Sequence, residues 1–484
     1  MPSDIGIILR DLGSILTIIG IVMELSLLVP IAFLENDAIL GIMIPGLISI
    51  LCGLSLRFIF KRGKESELRH AMITAAISWF IVAGISSIPF IMVENMSPLS
   101  SFFEAMSGWT GTGLTMVDDP GKLTYTIQFW RSLMQWLGGV GVIVLMVSIL
   151  SRPGTGSFTL YRSEARDEKI HPSVISTVRT IWWIYLLFTI FGIGLFYVAG
   201  MSPWEALNHG MTGIATGGFS VISGSIGAYN SPLIELSIIP IMIIGSIPFL
   251  IHYKALSGDI TAIFKDVQVR AMVVILIGGI VALSAENYLS YRNILVSIRP
   301  SVFQFVSALT CTGFQTVDIH GWSPTALIVL SLAMVLGGAA GSTAGGIKIV
   351  RAILAYSGVN WWFRRVTISS RAITSFKLGD RLLAEEDANK LVNETTLITL
   401  LWILFLFIGV IALLHVIPSA YHLEDVVFEV CSAQGNVGLS TGITNDSMSS
   451  FGKVILIFNM WIGRLEIIPV LMLFRSIVKG LGPF

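Results

Sequence analysis

Phe103-Glu104-Ala105-Met106-Ser107-Gly108-Trp109-Thr110-Gly111-Thr112-Gly113-Leu114-Thr115 is the stretch that decides how this chain reads. A half-apolar segment runs into a Gly/Thr cluster, with a long apolar run on either side. The pattern is written three more times. The second copy ends Ile214-Ala215-Thr216-Gly217-Gly218-Phe219-Ser220, and the third Leu309-Thr310-Cys311-Thr312-Gly313-Phe314-Gln315-Thr316. The fourth ends Gln434-Gly435-Asn436-Val437-Gly438-Leu439-Ser440-Thr441. Aligned on Gly113, Gly218, Gly313 and Gly438, the copies are spaced by 105, 95 and 125 residues, and each glycine is followed by Leu or Phe. Nine residues before each glycine stands a polar side chain: Glu104, His209, Gln304 and Glu429. One Gly/Ser/Thr cluster is an ordinary surface for packing helices. Four in register, each between apolar runs, form an internal repeat.

The flanking runs set the class. The chain has 484 residues, 54% apolar and only 12% charged, with a mean hydropathy of +0.82. A soluble domain carries roughly 25% charged residues, and a soluble chain this long would divide into domains with polar surfaces. A bilayer core takes about 20 apolar residues per helix. Stretches of that kind cover about 12–34, 38–56, 71–93, 126–150, 174–200, 232–251, 270–289, 323–351, 391–416 and 450–474. The first lacks a small-residue cleavage site, so it is expected as a span rather than a removed signal peptide.

Orientation follows from the loops. With the N-terminus inside, the inner segments hold Arg10, Arg57, Lys61, Arg62, Lys64, Arg69, Arg152, Arg162, Arg166, Lys169, Lys254, Lys265 and Arg270. They also hold Lys348, Arg351, Arg364, Arg365, Arg371, Lys377, Arg381, Lys390, Arg475 and Lys479. The outer segments hold only Lys122, Arg131, Arg292, Arg299 and Lys453. This asymmetry predicts cytoplasmic N- and C-termini.

The four outer connections, about 94–125, 201–231, 290–322 and 417–449, carry the repeated segment. Apolar pieces of 10–14 residues are typical of re-entrant segments, and irregular backbone at membrane depth is tolerated only where it is buried or lines a cavity. The predicted fold class is an all-α polytopic membrane protein. It has four pseudo-symmetric span–pore-loop–span repeats around one pore, plus two N-terminal spans. The expected divisions are 1–66 for the extra helices, then repeats at 67–151, 152–256, 257–385 and 386–484. A short helix entering from outside points its negative C-terminal end at the centre. Four returning strands can then present rings of backbone carbonyls that replace the hydration shell of a monovalent cation. The candidate filter residues are Thr110, Gly111, Thr112 and Gly113; Ala215, Thr216, Gly217 and Gly218; Thr310, Cys311, Thr312 and Gly313; and Gly435, Asn436, Val437 and Gly438. Thr110 and Thr310 can add hydroxyl oxygens. Ala215 and Gly435 cannot, so the symmetry is only approximate.

A second motif lies in the eighth run, Gly337-Gly338-Ala339-Ala340-Gly341-Ser342-Thr343-Ala344-Gly345-Gly346-Ile347-Lys348. It fails as a phosphate-binding loop, because Ile347 stands where Lys is required. Its glycines must unwind a helix. The choice is between a passive kink and a loop across the pore; the candidate gate comprises Gly337, Gly338, Gly341, Ser342, Thr343, Gly345, Gly346 and Lys348, with Arg464. A mid-span arginine is costly and functional or paired. Arg464 either finds another acid or backbone carbonyls, or faces the loop and opposes cation passage. Glu466, two residues on, points to another helix face and is a poor partner for it.

Other classes lose ground. The net charge is zero, with 30 basic and 30 acidic residues, so nothing favours nucleic acid. Cys52, Cys311 and Cys431 have neither disulfide-framework nor metal-ligand spacing. No nucleophile–base set lies in the spans, so an enzyme is not expected. An alternating-access symporter coupled to H⁺ or Na⁺ would be expected to carry inverted repeats, whereas these four share one orientation. The inner loop 352–390 is too short for a nucleotide-binding domain.

On these residues the chain resembles the membrane subunits of Trk-type potassium uptake systems, in the Trk/Ktr/HKT superfamily. The likeness runs through the four filter segments, the 337–348 stretch and Gly463-Arg464-Leu465-Glu466. The two leading runs and Ile347-Lys348-Ile349-Val350-Arg351 resemble the Trk branch more than the shorter Ktr branch. The resemblance implies a prokaryotic cell membrane, K⁺ as the transported ion at the filter residues, and no bound organic cofactor. It also implies a homodimer with one pore per protomer and a cytosolic, TrkA-like ring of nucleotide-binding regulatory subunits. Plant relatives with serine at the first glycine pass sodium, so four glycines imply a preference for K⁺.

Overall fold

The computed structural model describes residues 2–61, 67–150, 170, 174–367, 376–378 and 381–480. Arg62, Lys64, Arg152, Arg162, Arg166, Lys169 and Arg371, which enter the charge asymmetry, lie outside the described residues.

Helices dominate. Pro2–Ser26 continues into Leu28–Phe33 and packs along Asn36–Ile59. Their contact is made by small residues: a Cβ on Gly13 would stand 2.7 Å from the Gly53 carbonyl oxygen, and one on Gly20 2.6 Å from that of Gly46. Such surfaces let two backbones approach where lipid supplies no hydrophobic drive.

Four units of helix, short helix and helix follow. In the first, Leu68–Ser86 with Ile88–Glu94 leads to Pro98–Thr110 and Tyr125–Leu150. In the second, Val174–Val198 leads to Pro203–Ile214 and Pro232–Ser246. In the third, Val267–Tyr291 leads to Ile294–Leu309 and Pro324–Leu336. In the fourth, Glu385–Leu414 leads to Leu423–Gly435 and Ser450–Arg464. Six described helices are long and apolar enough to cross a bilayer, or eight if each bent pair is one span. A hairpin of Phe376–Leu378 and Arg381–Leu383 lies under the helix Ile349–Thr367, with Phe376 against Trp361.

The apolar interior forms two large bodies. One gathers Phe196, Ile241, Phe303, Phe314 and Leu330 from repeats two and three. The other joins repeats one and four to the leading helices through Met23, Phe90, Phe103, Trp130, Trp402 and Trp461.

Two expected spans are not straight. The run 232–251 bends by 105° between Pro232–Ser246 and Phe249–Leu256, and the run 450–474 bends by 111° between Ser450–Arg464 and Ile468–Lys479. Pro248 lies in the first break, where it disfavours helix in Ile247 before it; Pro469 stands in the first turn of the helix beyond the second break, where its missing amide costs no helical hydrogen bond. Three residues counted among the outer loops are not in loops either. Arg299 lies on the short helix Ile294–Leu309. Arg131 lies on Tyr125–Leu150 and Lys453 on Ser450–Arg464, and both are buried. Each is tolerated because an acid or hydroxyls meet it.

Candidate functional site

The short helices start where a side chain can cap them. Ser97, Ser202, Asn293 and His422 hold the N-cap positions, with Glu205 and Asp425 completing reciprocal boxes at the second and fourth. They also end alike. The residue two before each reference glycine is left-handed: Gly111 (φ 64°), Thr216 (51°), Cys311 (55°) and Asn436 (52°). The next amide reaches back five residues, with Thr112 N bonded to Ser107 O, Gly217 N to Thr212 O, Thr312 N to Ser307 O and Val437 N to Ser432 O, all at 2.9 Å. Then comes the glycine, also at positive φ: 90°, 77°, 80° and 102° for Gly113, Gly218, Gly313 and Gly438.

These four glycines stand against one another. A Cβ on Gly113 would run into the carbonyl oxygen of Gly217, one on Gly218 into that of Thr312, one on Gly313 into that of Val437, and one on Gly438 into that of Thr112. The chain of contacts closes after four steps. Only glycine combines this approach with this backbone angle.

A polar collar buttresses the strands from behind. Glu104 accepts from Met116 N (2.9 Å) and Thr115 Oγ1 (2.9 Å), and it pairs with Arg131 at 2.7 Å. Glu429 accepts from Thr441 N (3.1 Å), Thr444 N (3.1 Å) and the Ser440 hydroxyl (2.8 Å). Gln304 accepts from Thr316 N at 3.2 Å, and His209 Nε2 lies 3.0 Å from Ser220 Oγ. All four are fully buried. So the polar positions nine residues before the glycines each hold the strand beyond. Asp118 and Asp318, by contrast, are exposed.

A second set went unread in the sequence. Six residues before each glycine stands a hydroxyl: Ser107, Thr212, Ser307 and Ser432. Ser107 Oγ accepts from Gly113 N (3.1 Å), Ser432 Oγ from Gly438 N (3.0 Å), and Ser307 Oγ donates to Phe314 O (2.8 Å). The alignment that found the polar position three residues earlier would have found this one.

The strands' own side chains differ. Thr110 and Thr112 pair their hydroxyls at 2.8 Å, as do Thr310 and Thr312. The Asn436 amide donates to Thr112 Oγ1 (3.0 Å) and Met460 O (2.9 Å), joining repeats four and one.

The stretch 337–348 leaves the helix after Leu336 and packs beneath this ring. Gly337 and Gly346 lie back to back, and a Cβ on Gly345 would run into the Gly435 carbonyl. The segment is bonded to all its surroundings. Gly346 N donates to Gly435 O (3.0 Å), Thr343 N to Gly245 O (3.1 Å) and Ala339 N to Ser246 O (3.1 Å), while Gly341 O accepts from Phe249 N (3.0 Å) and Gly338 O from Ile349 N (3.0 Å). Ser342 Oγ donates to Ala339 O at 2.6 Å, and the Lys348 ammonium to Ala344 O. The Thr343 hydroxyl lies 3.2 Å from that of Thr216.

Arg464 joins this loop to repeat one. Its guanidinium donates to Thr343 O (2.9 Å) and to Gly138 O (2.9 Å), and lies 3.8 Å from where a Cβ on Gly111 would stand. Of the two alternatives for this residue, carbonyl partners and proximity to the loop coincide. Glu466 pairs with Arg351 instead, from the helix that follows the loop. Among the described residues no group of His, Cys, Asp and Glu could hold a metal ion.

Known proteins resemble this chain over most of its length. The family model described as TrkH, cation transport protein, matches residues 39–479. The cation transporter MJ1485 of Methanocaldococcus jannaschii is 36% identical, covering 98% of this chain and 96% of its own. The Trk system potassium uptake protein TrkH of Escherichia coli is 32% identical, covering 86% of each chain. The crystal structure of the potassium transporter TrkH from Vibrio parahaemolyticus superposes with a TM-score of 0.84 at 26% identity, covering 98% of this chain and 99% of that one. The chain is therefore a member of the TrkH family of cation transport proteins.

Proposed function

We propose that the chain takes up K⁺ across a prokaryotic cell membrane, as the pore-forming subunit of a Trk-type system. The observation that carries this reading is the closed ring of Gly113, Gly218, Gly313 and Gly438, each against a neighbour's carbonyl oxygen. Oxygens so held can take the place of water around a dehydrated cation. The short helices end at this ring, so their C-terminal dipoles favour positive charge there. The four segments 110–113, 215–218, 310–313 and 435–438 form the filter. The loop from Gly337 to Lys348, with Arg464, forms the gate below it.

The charge asymmetry of the loops supports cytoplasmic termini. The division into two leading helices and four pore repeats at 67–151, 152–256, 257–385 and 386–484 follows from this reading. The name of one relative speaks of a Trk system, which supports further subunits; in this reading they are a second copy of the chain and a cytosolic nucleotide-binding ring. K⁺, the transported ion, is the only bound cofactor in this scheme. The test is flux of K⁺, Rb⁺, Na⁺ and Li⁺ into proteoliposomes. Preference for K⁺ and Rb⁺ is expected; equal passage of Na⁺ would sink the reading. Carrier-like slow turnover coupled to H⁺ or Na⁺ would move it to the symporter class.

A further inference from the structure

Repeat two builds its quarter of the ring differently from the other three. The residue just before the reference glycine is Thr112, Thr312 or Val437 elsewhere, and Gly217 here. Backbone angle does not demand this glycine, because Gly217 is not left-handed. Space does: a Cβ on Gly217 would stand 2.5 Å from both Cδ and Oε1 of Gln135. Gln135 reaches in, fully buried, from the helix Tyr125–Leu150 of repeat one. Its Nε2 donates to Gly217 O at 2.5 Å and its Oε1 accepts from Phe219 N at 3.0 Å. Only one orientation of the amide satisfies both partners, since its nitrogen only donates and its oxygen only accepts. One planar group thus grips the strand on both sides of Gly218.

We propose that Gln135 is a positioning residue for ion selection, fixing the direction of the Gly217 carbonyl. This rests on the reading of the ring as a filter. The Gly217 oxygen is one of the four that stand against a neighbouring reference glycine. A carbonyl free to swing can contract around a smaller ion; one pinned by a hydrogen bond resists. The other three strands fill the same position with their own side chains. Repeat two has exchanged that side chain for an amide borrowed from its neighbour, and the two solutions exclude each other sterically.

The test uses the full chain in proteoliposomes, with K⁺ and Na⁺ flux measured separately. Gln135→Leu keeps the volume and removes both hydrogen bonds. The K⁺/Na⁺ flux ratio is expected to fall about tenfold, the worth of one net hydrogen bond, with K⁺ flux and monodisperse elution kept. Gln135→Ala should lose selectivity likewise. Adding Gly217→Val to Gln135→Ala rebuilds the arrangement of repeat four, where Val437 fills the position and Gly435, like Ala215, offers no hydroxyl, so it should restore the ratio toward the parent's. That comparison decides the matter even if Gln135→Leu fails to fold. A folded Gln135→Leu protein as selective as a K⁺-selective parent overturns the brace, as does a double variant no more selective than Gln135→Ala. A parent that passes Na⁺ and K⁺ alike overturns the filter reading and the brace with it.

Discussion

At the ring, four segments do one thing; a short distance below, the four second helices do three different things. Gly113, Gly218, Gly313 and Gly438 share positive φ, a left-handed residue two before, and the same five-residue hydrogen bond. Below them, Tyr125–Leu150 runs on through Gly138 and Gly139, repeat two bends after Ser246, repeat three unwinds from Gly337 to Lys348, and repeat four bends after Arg464. The two levels answer to different demands. A spherical ion is surrounded best by equivalent donors, so symmetry persists where it would sit. On the proposed reading, the gate needs one movable element and fixed supports, so symmetry ends there.

The comparison can be broken most severely from below. Deleting residues 339–345 should raise K⁺ flux by tenfold or more, since about 1.4 kcal/mol off a barrier is a factor of ten. Selectivity should stay, because the deletion removes none of the four reference glycines or the carbonyls they stand against. A folded deletion protein with parental flux would make the loop a passive kink. Gly113→Ser attacks the upper level. Its Cβ meets the Gly217 carbonyl at a φ of 90°, and the K⁺/Na⁺ ratio should drop by about ten- to a hundredfold, from strain of roughly 1–3 kcal/mol. Retained selectivity would show that the ring tolerates unequal members.

Arg464→Ala removes the tether between Thr343 O and Gly138 O. Flux should rise several-fold without loss of assembly, which asks for about 1 kcal/mol off the barrier, a fraction of the roughly 4 kcal/mol that two unit charges 4 Å apart exchange at an effective dielectric of 20. Aggregation in detergent with no gain in flux would assign Arg464 to structure alone. The smallest effect is expected for Ser107→Ala. It frees the Gly113 amide from its hydroxyl acceptor, a net loss of about 0.5–1.5 kcal/mol. A modest fall in thermal stability and a slight loss of selectivity should appear together; an unchanged protein would mean the collar is redundant.

The sequence carried the fold class and the repeat well, because bilayer thickness and apolar run length are tied by simple geometry. The register of the four glycines was equally legible, since close approach and positive φ leave glycine no substitute. Helix starts were written too, in Ser97-Pro98, Ser202-Pro203, Ser231-Pro232 and Ser323-Pro324, though hydropathy alone passes over them. What could not be read was pairing across repeats. Arg131 looks like an outer-loop charge until Glu104 is found 2.7 Å away. Glu466 looks orphaned until Arg351 arrives from 115 residues earlier in the chain. The bends after Ser246 and Arg464 hide inside runs that are apolar throughout, where composition is blind to direction. Gln135 gave no signal at all, because its partner is a backbone atom of another repeat.

The ring closes between the first strand and the last. Gly438 lies against Thr112, and the Asn436 amide reaches Thr112 across 324 residues of chain. During synthesis, then, three strands wait in the membrane with one side open. The loop-closure cost of the final contact grows only slowly with that length, so the delay is one of timing more than of free energy. A polypeptide lacking its fourth repeat leaves the ring of reference glycines open between Gly313 and Thr112, the two places that Val437 and Gly438 would meet.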